Sequence, residues 1–161
     1  MTKIKNKKTL QLIMLFSFFA LAAAYFIQYV LGHQPCNLCL IERIPYASAI
    51  IIIFICLFLK RFEKIFLIIL SLVFFSSTLV SFYHFGIEQE IFNESLVCDV
   101  DIKNKILSPE ELLLELKKNT ISCKDVSFKI LGFSLATINT LISLILCVII
   151  FRIFLRYEKN R

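Results

Sequence analysis

The chain has 161 residues, enough for one domain, but 58% of them are hydrophobic and the mean hydropathy is +0.80. Soluble globular domains contain about 45–50% apolar residues, so this composition excludes an ordinary soluble domain. The net charge of +6 does not indicate a nucleic-acid partner, because the basic residues form short clusters beside apolar runs, as in membrane proteins. Six cysteines, four of them outside the apolar runs, indicate an oxidising compartment.

The first apolar run covers residues 10–31 and follows four lysines within residues 1–9. The alanines at positions 20 and 22–24 are typical of the cleavage region of a signal peptide. However, the apolar residues continue beyond them and reach the roughly 20 residues that a membrane span needs. The sequence therefore predicts a retained first span.

Three more apolar runs have the length of a membrane span: residues 40–59, 65–83 and 130–155. The second run carries Glu42 and Arg43 near its start, so these charges are expected at the membrane interface, where they cost little. Pro45 also lies in the first turns, where a helix tolerates proline better than in its middle. The predicted fold class is all-α, an integral membrane bundle of four transmembrane helices that forms one membrane domain over residues 1–161.

Short basic clusters decide the predicted topology, since lysine and arginine collect on the cytoplasmic side of membrane proteins. These clusters lie at residues 1–9, at residues 60–64 and after the fourth run. Four spans put both termini on one side, and all three clusters fall on that side. Both termini are therefore predicted to be cytoplasmic, with outer loops at residues 32–39 and 84–129.

The long outer loop is predicted to contain a short helix between two cysteines. Ser108, Pro109 and Glu111 form a helix start of the capping-box type. The helix that follows is expected either to lie on the membrane surface or to pack on the ends of the spans. Cys98 and Cys123 flank it. From the residues alone, a structural disulfide worth on the order of 3 kcal/mol is favoured over a second redox pair, and both remain open.

Cys36 and Cys39 form a Cys-x-x-Cys motif between the first two runs, and Arg43 follows four residues after the second cysteine. The spacing brings the two sulfurs together over about one helical turn, so the pair can form a disulfide. If Cys39 lies near the start of a helix, the positive helix end and Arg43 favour its thiolate. An arginine at a membrane boundary is also a donor to an oxygen that gains negative charge.

A metal site is the main alternative for these cysteines. Cys36, Cys39, His33 and His84 could provide the four ligands that zinc normally takes, since both histidines are expected near the outer boundary. No second close pair of ligands in the sequence supports this alternative. His84 could instead carry protons, or simply lie at the interface in contact with solvent, which the residues alone favour. No role is predicted for the cysteines inside the apolar runs, Cys56 and Cys147.

Together these features resemble the DsbB family of membrane thiol–quinone oxidoreductases over nearly the whole chain. The resemblance rests on four spans, on Pro35-Cys36-x-x-Cys39 followed by Glu42-Arg43, and on a second cysteine pair in an outer loop. It extends to Leu131-Gly132-Phe133-Ser134 at the entry to the fourth span. The loop between the outer cysteines departs from the family, and Phe128 stands where relatives often have tryptophan.

The resemblance implies an enzyme of the bacterial inner membrane that reoxidises a periplasmic, thioredoxin-like donor of the DsbA type and passes two electrons to quinone. The donor thiol would attack the Cys98–Cys123 disulfide at Cys98. Cys123 would then attack Cys36, and Cys39 would be released as a thiolate facing the quinone. Ubiquinone is expected as the acceptor rather than menaquinone. The residues expected to contact the quinone are Arg43, His84, Glu88 and Gln89.

Three other functions fit the same residues. A thiol reductase with this fold would send electrons outward instead. A membrane metal-binding or carrier protein would use Cys36, Cys39 and the histidines, and stoichiometric zinc or copper at the cysteines would indicate it. A structural four-span protein would hold its disulfides only as staples. Thiol-dependent quinol formation would indicate the oxidoreductase.

Overall fold

The computed structural model describes residues 7–59, 62–93, 98, 122–124, 129–130 and 132–159. The elements of this part of the chain are α1 (Lys7–Tyr29), α2 (Asn37–Ile41), α3 (Ile44–Phe58), α4 (Glu63–Glu88), β1 (Lys129–Ile130), β2 (Phe133–Ser134) and α5 (Leu135–Lys159). The short helix predicted from Ser108 lies outside the described residues.

Among the described residues, four helices are long and apolar enough to cross a membrane, which confirms the predicted all-α fold class with four spans. They are Lys7–Tyr29, Asn37–Phe58, Glu63–Glu88 and Leu135–Arg156. The second combines α2 and α3, which are separated by a turn at Glu42 and Arg43. Pro45 causes this break, since it occupies the first turn of α3 and has no N–H to continue the hydrogen bonds of α2.

Two helix ends differ from the predicted spans. Helix α4 continues to Glu88 rather than ending at Tyr83, so His84 belongs to the helix and not to the outer loop. Helix α5 begins at Leu135 rather than at Ile130, because β1 and β2 pair as a short antiparallel hairpin before it. Gly132, at a φ of 86°, provides the left-handed conformation in the hairpin turn.

Ser134 then begins α5. Its Oγ accepts a hydrogen bond from the backbone N–H of Thr137 at 3.2 Å, which satisfies one free donor of the first helical turn. The apolar pattern of the sequence continues through the hairpin, so hydropathy alone extends the predicted span over these residues.

The apolar core lies where the four long helices meet. Leu10, Ile53, Phe74 and Ile150 come from α1, α3, α4 and α5, and each is at most 1% exposed. Fully buried serines lie in the same bundle, where their small side chains allow helix backbones to approach each other closely. These serines are Ser17, Ser77, Ser81 and Ser143.

An ion pair joins the start of α4 to the end of α5. Lys64 Nζ lies 2.7 Å from Glu158 Oε1, on exposed side chains. The two helices therefore run antiparallel along most of their lengths, with this pair at one end of the bundle. The cysteine pairs lie at the other end, where α2 begins and α4 ends. This arrangement gathers the chemically active residues at a single end.

Candidate redox site

Cys36 and Cys39 lie at the start of α2, with Cys36 as the residue that caps the helix. The Cys36 backbone is extended (φ −71°, ψ 169°), and its Sγ accepts a hydrogen bond from the N–H of Cys39 at 3.3 Å. The same Sγ lies 2.8 Å from the Sγ of Cys39, and both cysteines are free. The helix geometry thus holds the two sulfurs at a separation from which a disulfide can form.

The outer cysteines form a disulfide with each other. Cys98 and Cys123 have Cα atoms 5.6 Å apart, within the usual range for a disulfide. They are 3% and 2% exposed and pack in one buried cluster with Cys36, Leu38 and Ile87. The two cysteine pairs therefore meet at one place, which is the arrangement that thiol–disulfide exchange between them requires.

His84 lies beside Cys36 because α4 continues beyond its predicted end. The side chain is 2% exposed, and its Nε2 lies 3.5 Å from the Sγ of Cys36. Its Nδ1 lies 2.7 Å from Oε1 of Glu42, in the turn between α2 and α3. A carboxylate can only accept here, so Nδ1 donates to it and Nε2 is left to exchange a proton with the thiol.

Cys39 and His84 lower the pKa of Cys36 from 9.0 to about 4. The main cause is the hydrogen bond that the Cys39 thiol donates to the Cys36 thiolate. Burial acts in the opposite direction, while the hydrogen bond and the charge of His84 again favour the thiolate. The sequence suggests Cys39 as the favoured thiolate, but the capping position and His84 both act on Cys36.

Arg43 does not lie beside Cys36. Its Nη1 donates a hydrogen bond to Gln28 Oε1 at 2.5 Å, and its guanidinium lies over the ring of Tyr25, 5.0 Å from the ring centroid. Both partners belong to α1. The arginine is thus held on the face of the second span that turns towards α1, opposite to the histidine of α4.

A cavity of about 220 Å³ lies between α1, the α2–α3 turn and α5. Its walls are mostly small or aliphatic side chains of α1 and α5, and Cys39 and Arg43 border it. The other polar side chains of the wall include Glu42, Tyr46 and Asn139. The cavity therefore combines an apolar wall, a thiol and several hydrogen-bonding groups, as small-molecule sites do.

A network of hydrogen bonds connects the polar side chains of the cavity wall. Asn139 Nδ2 donates to Glu42 Oε2 and to Ser81 Oγ, both at 2.7 Å, and Tyr46 donates to Asn139 Oδ1 at 2.5 Å. The hydroxyls of Tyr46 and Ser143 lie 3.4 Å apart. Glu42 thus links the histidine at the cysteines to the cavity, through its two carboxylate oxygens.

Asn139 and Tyr46 are the residues that sequence reasoning missed. Each is a polar residue inside an apolar run, and such residues within spans usually face the bundle interior and mark functional sites. That signal was available in the sequence. Their connection to Glu42 was not, because it depends on the rotation of α5 against α3.

Three residues expected at the quinone lie outside the wall of the cavity. His84 and Glu88 project from α4 towards the cysteines, with Glu88 Oε1 3.9 Å from His84 Nε2. Gln89 is exposed and caps the end of α4. The reason is that the cavity is formed by α1, the α2–α3 turn and α5, while α4 borders the cysteine cluster.

The predicted four-ligand metal set is only partly assembled. Cys36, Cys39 and His84 offer ligand atoms that all lie within 4.8 Å of one another. His33, the fourth predicted ligand, lines the cavity and does not belong to this group of described residues.

Comparisons with known proteins identify the family of the chain. Residues 6–153 match the family described as "Disulfide bond formation protein DsbB". The chain is also 32% identical over 161 residues to "Uncharacterized protein RP370" of Rickettsia prowazekii (strain Madrid E). The aligned region covers 95% of this chain and 90% of that protein. No solved structure matches the chain.

The family match and the structure indicate the same class of membrane protein. The match extends over nearly all of the chain, and the structure has four spans and two cysteine pairs. At the level of the family, this supports a disulfide-generating oxidoreductase that crosses the inner membrane several times. The chain belongs to the DsbB family.

Proposed function

We propose that this chain oxidises the dithiol of a DsbA-type, thioredoxin-fold donor and passes the two electrons to a membrane quinone. The observation that carries this proposal is the position of the Cys36–Cys39 pair between the outer disulfide and the cavity. Cys36 packs in the cluster that contains the Cys98–Cys123 disulfide, whereas Cys39 borders the cavity with Arg43. One dithiol pair can therefore receive electrons on one side and deliver them on the other.

The thiol chemistry proceeds by exchange, with each new S–S bond replacing an old one. A donor thiolate attacks Cys98, the Cys98–Cys123 bond breaks, and the second donor thiol resolves the mixed disulfide. The outer pair is then a dithiol, and the donor leaves as a disulfide. When Cys36 and Cys39 are oxidised to a disulfide, Cys123 attacks Cys36, the Cys36–Cys39 bond breaks and Cys39 is released as a thiolate. Cys98 then attacks Cys123, which restores the outer disulfide and leaves Cys36 and Cys39 reduced.

The cavity fits the head group of a quinone. Its volume of about 220 Å³ is below the roughly 300–1,000 Å³ of pockets for drug-sized ligands, so it suits a single ring with a tail that leaves towards lipid. A bound quinone supplies an acceptor for two electrons and two protons. Arg43 would donate to a ring oxygen and stabilise its negative charge, and Asn139 and Tyr46 provide polar groups of the same wall.

His84 and Glu42 form a route for a proton between the thiols and the cavity. The imidazole contacts Cys36 Sγ through Nε2 and Glu42 through Nδ1, and Glu42 borders the cavity. Oxidation of the dithiol releases two protons, and a histidine with both nitrogens engaged can accept a proton on one side and give one up on the other. We assign His84 and Glu42 this role, rather than contact with the quinone for His84.

The proposed topology has both termini in the cytoplasm and both cysteine pairs on the periplasmic side. The short basic clusters support this orientation. Lys64, of the cluster at residues 60–64, lies at the opposite end of the bundle from the cysteines. The donor would then approach from the oxidising side, where a dithiol protein needs reoxidation.

The proposal can be tested with purified protein in detergent under anaerobic conditions. The protein is reduced, freed of reductant and mixed with ubiquinone or menaquinone, while quinol absorbance and free thiols are measured together. We expect quinol to form as thiols disappear, and ubiquinone to be the better acceptor. Cys39→Ser should form none, whereas Cys56→Ser, which removes a thiol from the apolar core, should react like the parent. Failure with both quinones would contradict the proposal.

A further inference from the structure

Three ligand-type side chains converge at the cysteine end of the bundle. Cys36 Sγ, Cys39 Sγ and a ring nitrogen of His84 all lie within 4.8 Å of one another. Zinc bound tetrahedrally, with Zn–S of about 2.3 Å and Zn–N of about 2.0–2.1 Å, places its ligand atoms roughly 3.5–3.8 Å apart. The distance from Cys36 Sγ to His84 Nε2 is already 3.5 Å. The two sulfurs, 2.8 Å apart, need to separate by only about 1 Å, which a small rotation of one cysteine side chain provides.

Glu88 is the candidate for a fourth ligand: it neighbours His84 but lies outside the group formed by Cys36, Cys39 and His84, so its carboxylate has to move closer to bind. Its side chain is 6% exposed, and its Oε1 lies 3.9 Å from His84 Nε2. Its Oε2 is buried and has no hydrogen-bond partner within the described part of the chain. A buried carboxylate oxygen without a partner costs free energy, and a cation would remove this cost. Two thiols, an imidazole and a carboxylate are all ligands that zinc accepts.

Glu42 and Asn139 orient His84 through hydrogen bonds, as neighbouring groups usually orient a metal-binding histidine. Histidines that bind metals almost always donate their other N–H to a carboxylate or carbonyl. Here Nδ1 is engaged by Glu42 Oε1 at 2.7 Å, and Asn139 fixes the second oxygen of Glu42. The remaining nitrogen, Nε2, faces Cys36. Arg43 donates instead to Gln28 of α1.

We propose that the reduced enzyme binds one thiophilic divalent cation of the zinc type through Cys36, Cys39, His84 and Glu88. Both cysteines bind as thiolates, so their protons are released to solvent. The oxidised enzyme lacks this site, because its Cys36–Cys39 disulfide leaves no thiolate to bind the metal. The cation therefore holds the pair in its reduced form. Inhibition of electron transfer by the cation rests on the proposed function, but the binding itself does not.

The binding is tested with full-length protein in detergent, free of metal and oxygen, in both redox states. Zinc is titrated against a coloured chelator, and cobalt is used as a spectroscopic probe for tetrahedral thiolate ligation. We expect one cation per reduced chain, an intense cobalt–thiolate spectrum, and neither in the protein with oxidised Cys36 and Cys39. His84→Ala and Cys39→Ser should each weaken zinc binding by more than about 100-fold.

Two matched pairs of variants separate the site from general effects. Glu88→Gln should weaken binding by about 10-fold or more, whereas Glu90→Gln, on an exposed side chain two residues later, should leave it unchanged. Cys147→Ser should keep full binding, because Cys147 lies in the apolar part of α5. Formation of the Cys98–Cys123 disulfide in each variant shows that it is folded.

Equal zinc binding by the oxidised protein, or full binding by His84→Ala, would overturn the proposed site. The assay contains no quinone and no donor protein, so its result does not depend on the proposed electron transfer. If the protein forms quinol but binds no zinc, only the metal site fails. If zinc binds and no quinol forms with either quinone, the metal site stands and the proposed function fails.

Discussion

His84 Nδ1 lies 2.7 Å from Glu42 Oε1, so a histidine near the end of α4 and a glutamate after the Cys-x-x-Cys motif form one buried pair. The pair connects two sites that are otherwise separate. Its histidine contacts Cys36, and its glutamate borders the cavity beside Cys39 and Arg43. This connection gives the first prediction.

Glu42→Gln should slow quinol formation by about 10²- to 10⁴-fold, because it removes the group that would accept the proton from His84. Exchange between the two cysteine pairs should continue, since it requires neither Glu42 nor the cavity. Stopped-flow measurement of quinol, with parallel trapping of free thiols, distinguishes the two steps. Glu158→Gln, on an exposed ion pair at the other end of the bundle, is the control and should react normally. Full activity of the Glu42→Gln enzyme would contradict the proposed proton route through His84 and Glu42.

Arg43→Ala should reduce quinone reduction by about 10²- to 10³-fold, the usual effect of losing one donor to a developing negative charge. All four loop cysteines should still form disulfides, because Arg43 contacts Gln28 and Tyr25 rather than a sulfur. Arg43→Lys keeps the charge but loses the planar fork, so it should recover only part of the rate.

The measurement for Arg43 is the rate of quinol formation at saturating and limiting ubiquinone, together with a thiol count. Arg152→Ala, on an exposed arginine of α5, is the matched control. Unchanged quinone kinetics in Arg43→Ala would contradict the role that we give to this residue.

The four spans could be predicted from the sequence because long apolar runs have few alternatives to spanning helices. The ends of α4 and α5 could not be predicted in the same way. His84 and Glu88 are polar, yet α4 continues through them, because His84 contacts Cys36 and Glu42 and hydropathy does not report such tertiary contacts. The hairpin before α5 has an apolar sequence, so only Gly132 indicated a turn.

In the candidate site, too, the features set by local sequence could be predicted and those set by helix packing could not. The spacing of Cys36, Cys39 and Arg43 is local, so the motif itself indicated the redox pair and its arginine. The neighbours of His84 depend on which face of α4 turns towards α2, and one sequence does not determine that rotation. The family resemblance places His84 at the quinone, and the contact of its imidazole with Cys36 could not be read from the sequence. Asn139 joins residues from three helices, and only the packed bundle shows this connection.

Asn139→Leu should lower the free energy of unfolding by about 1–3 kcal/mol, because it removes a buried hydrogen-bond partner from each of Glu42, Ser81 and Tyr46. Thr140→Val is the matched control. Within the described part of the chain, Thr140 donates only to the Ala136 carbonyl of its own helix, so its loss should change stability by no more than about 0.5 kcal/mol. Thermal or denaturant unfolding in detergent measures both. Equal stability of the two variants would show that Asn139 does not hold the network together.

Cys36 should react as a thiolate over most of the pH range, because its pKa is lowered to about 4. A lowered pKa means that the thiolate is present above that value and is lost as the pH falls through it. The rate of Cys36 alkylation should therefore be near its plateau at pH 6 and fall by half near pH 4. Mass spectrometry of the reduced protein, in chelator-containing buffer, identifies the modified cysteine at each pH.

Removing the partner of Cys36 provides the internal test of this pH profile. Cys39→Ala eliminates the hydrogen bond that contributes most to the lowered pKa, so the midpoint for Cys36 should rise towards the ordinary value of 9.0. Cys39→Ser retains a hydroxyl donor and should shift the midpoint less. Cys56→Ser should not shift it at all, since Cys56 lies in the apolar core. A midpoint near 9 in the parent protein would mean that the capping position and His84 do not stabilise the thiolate.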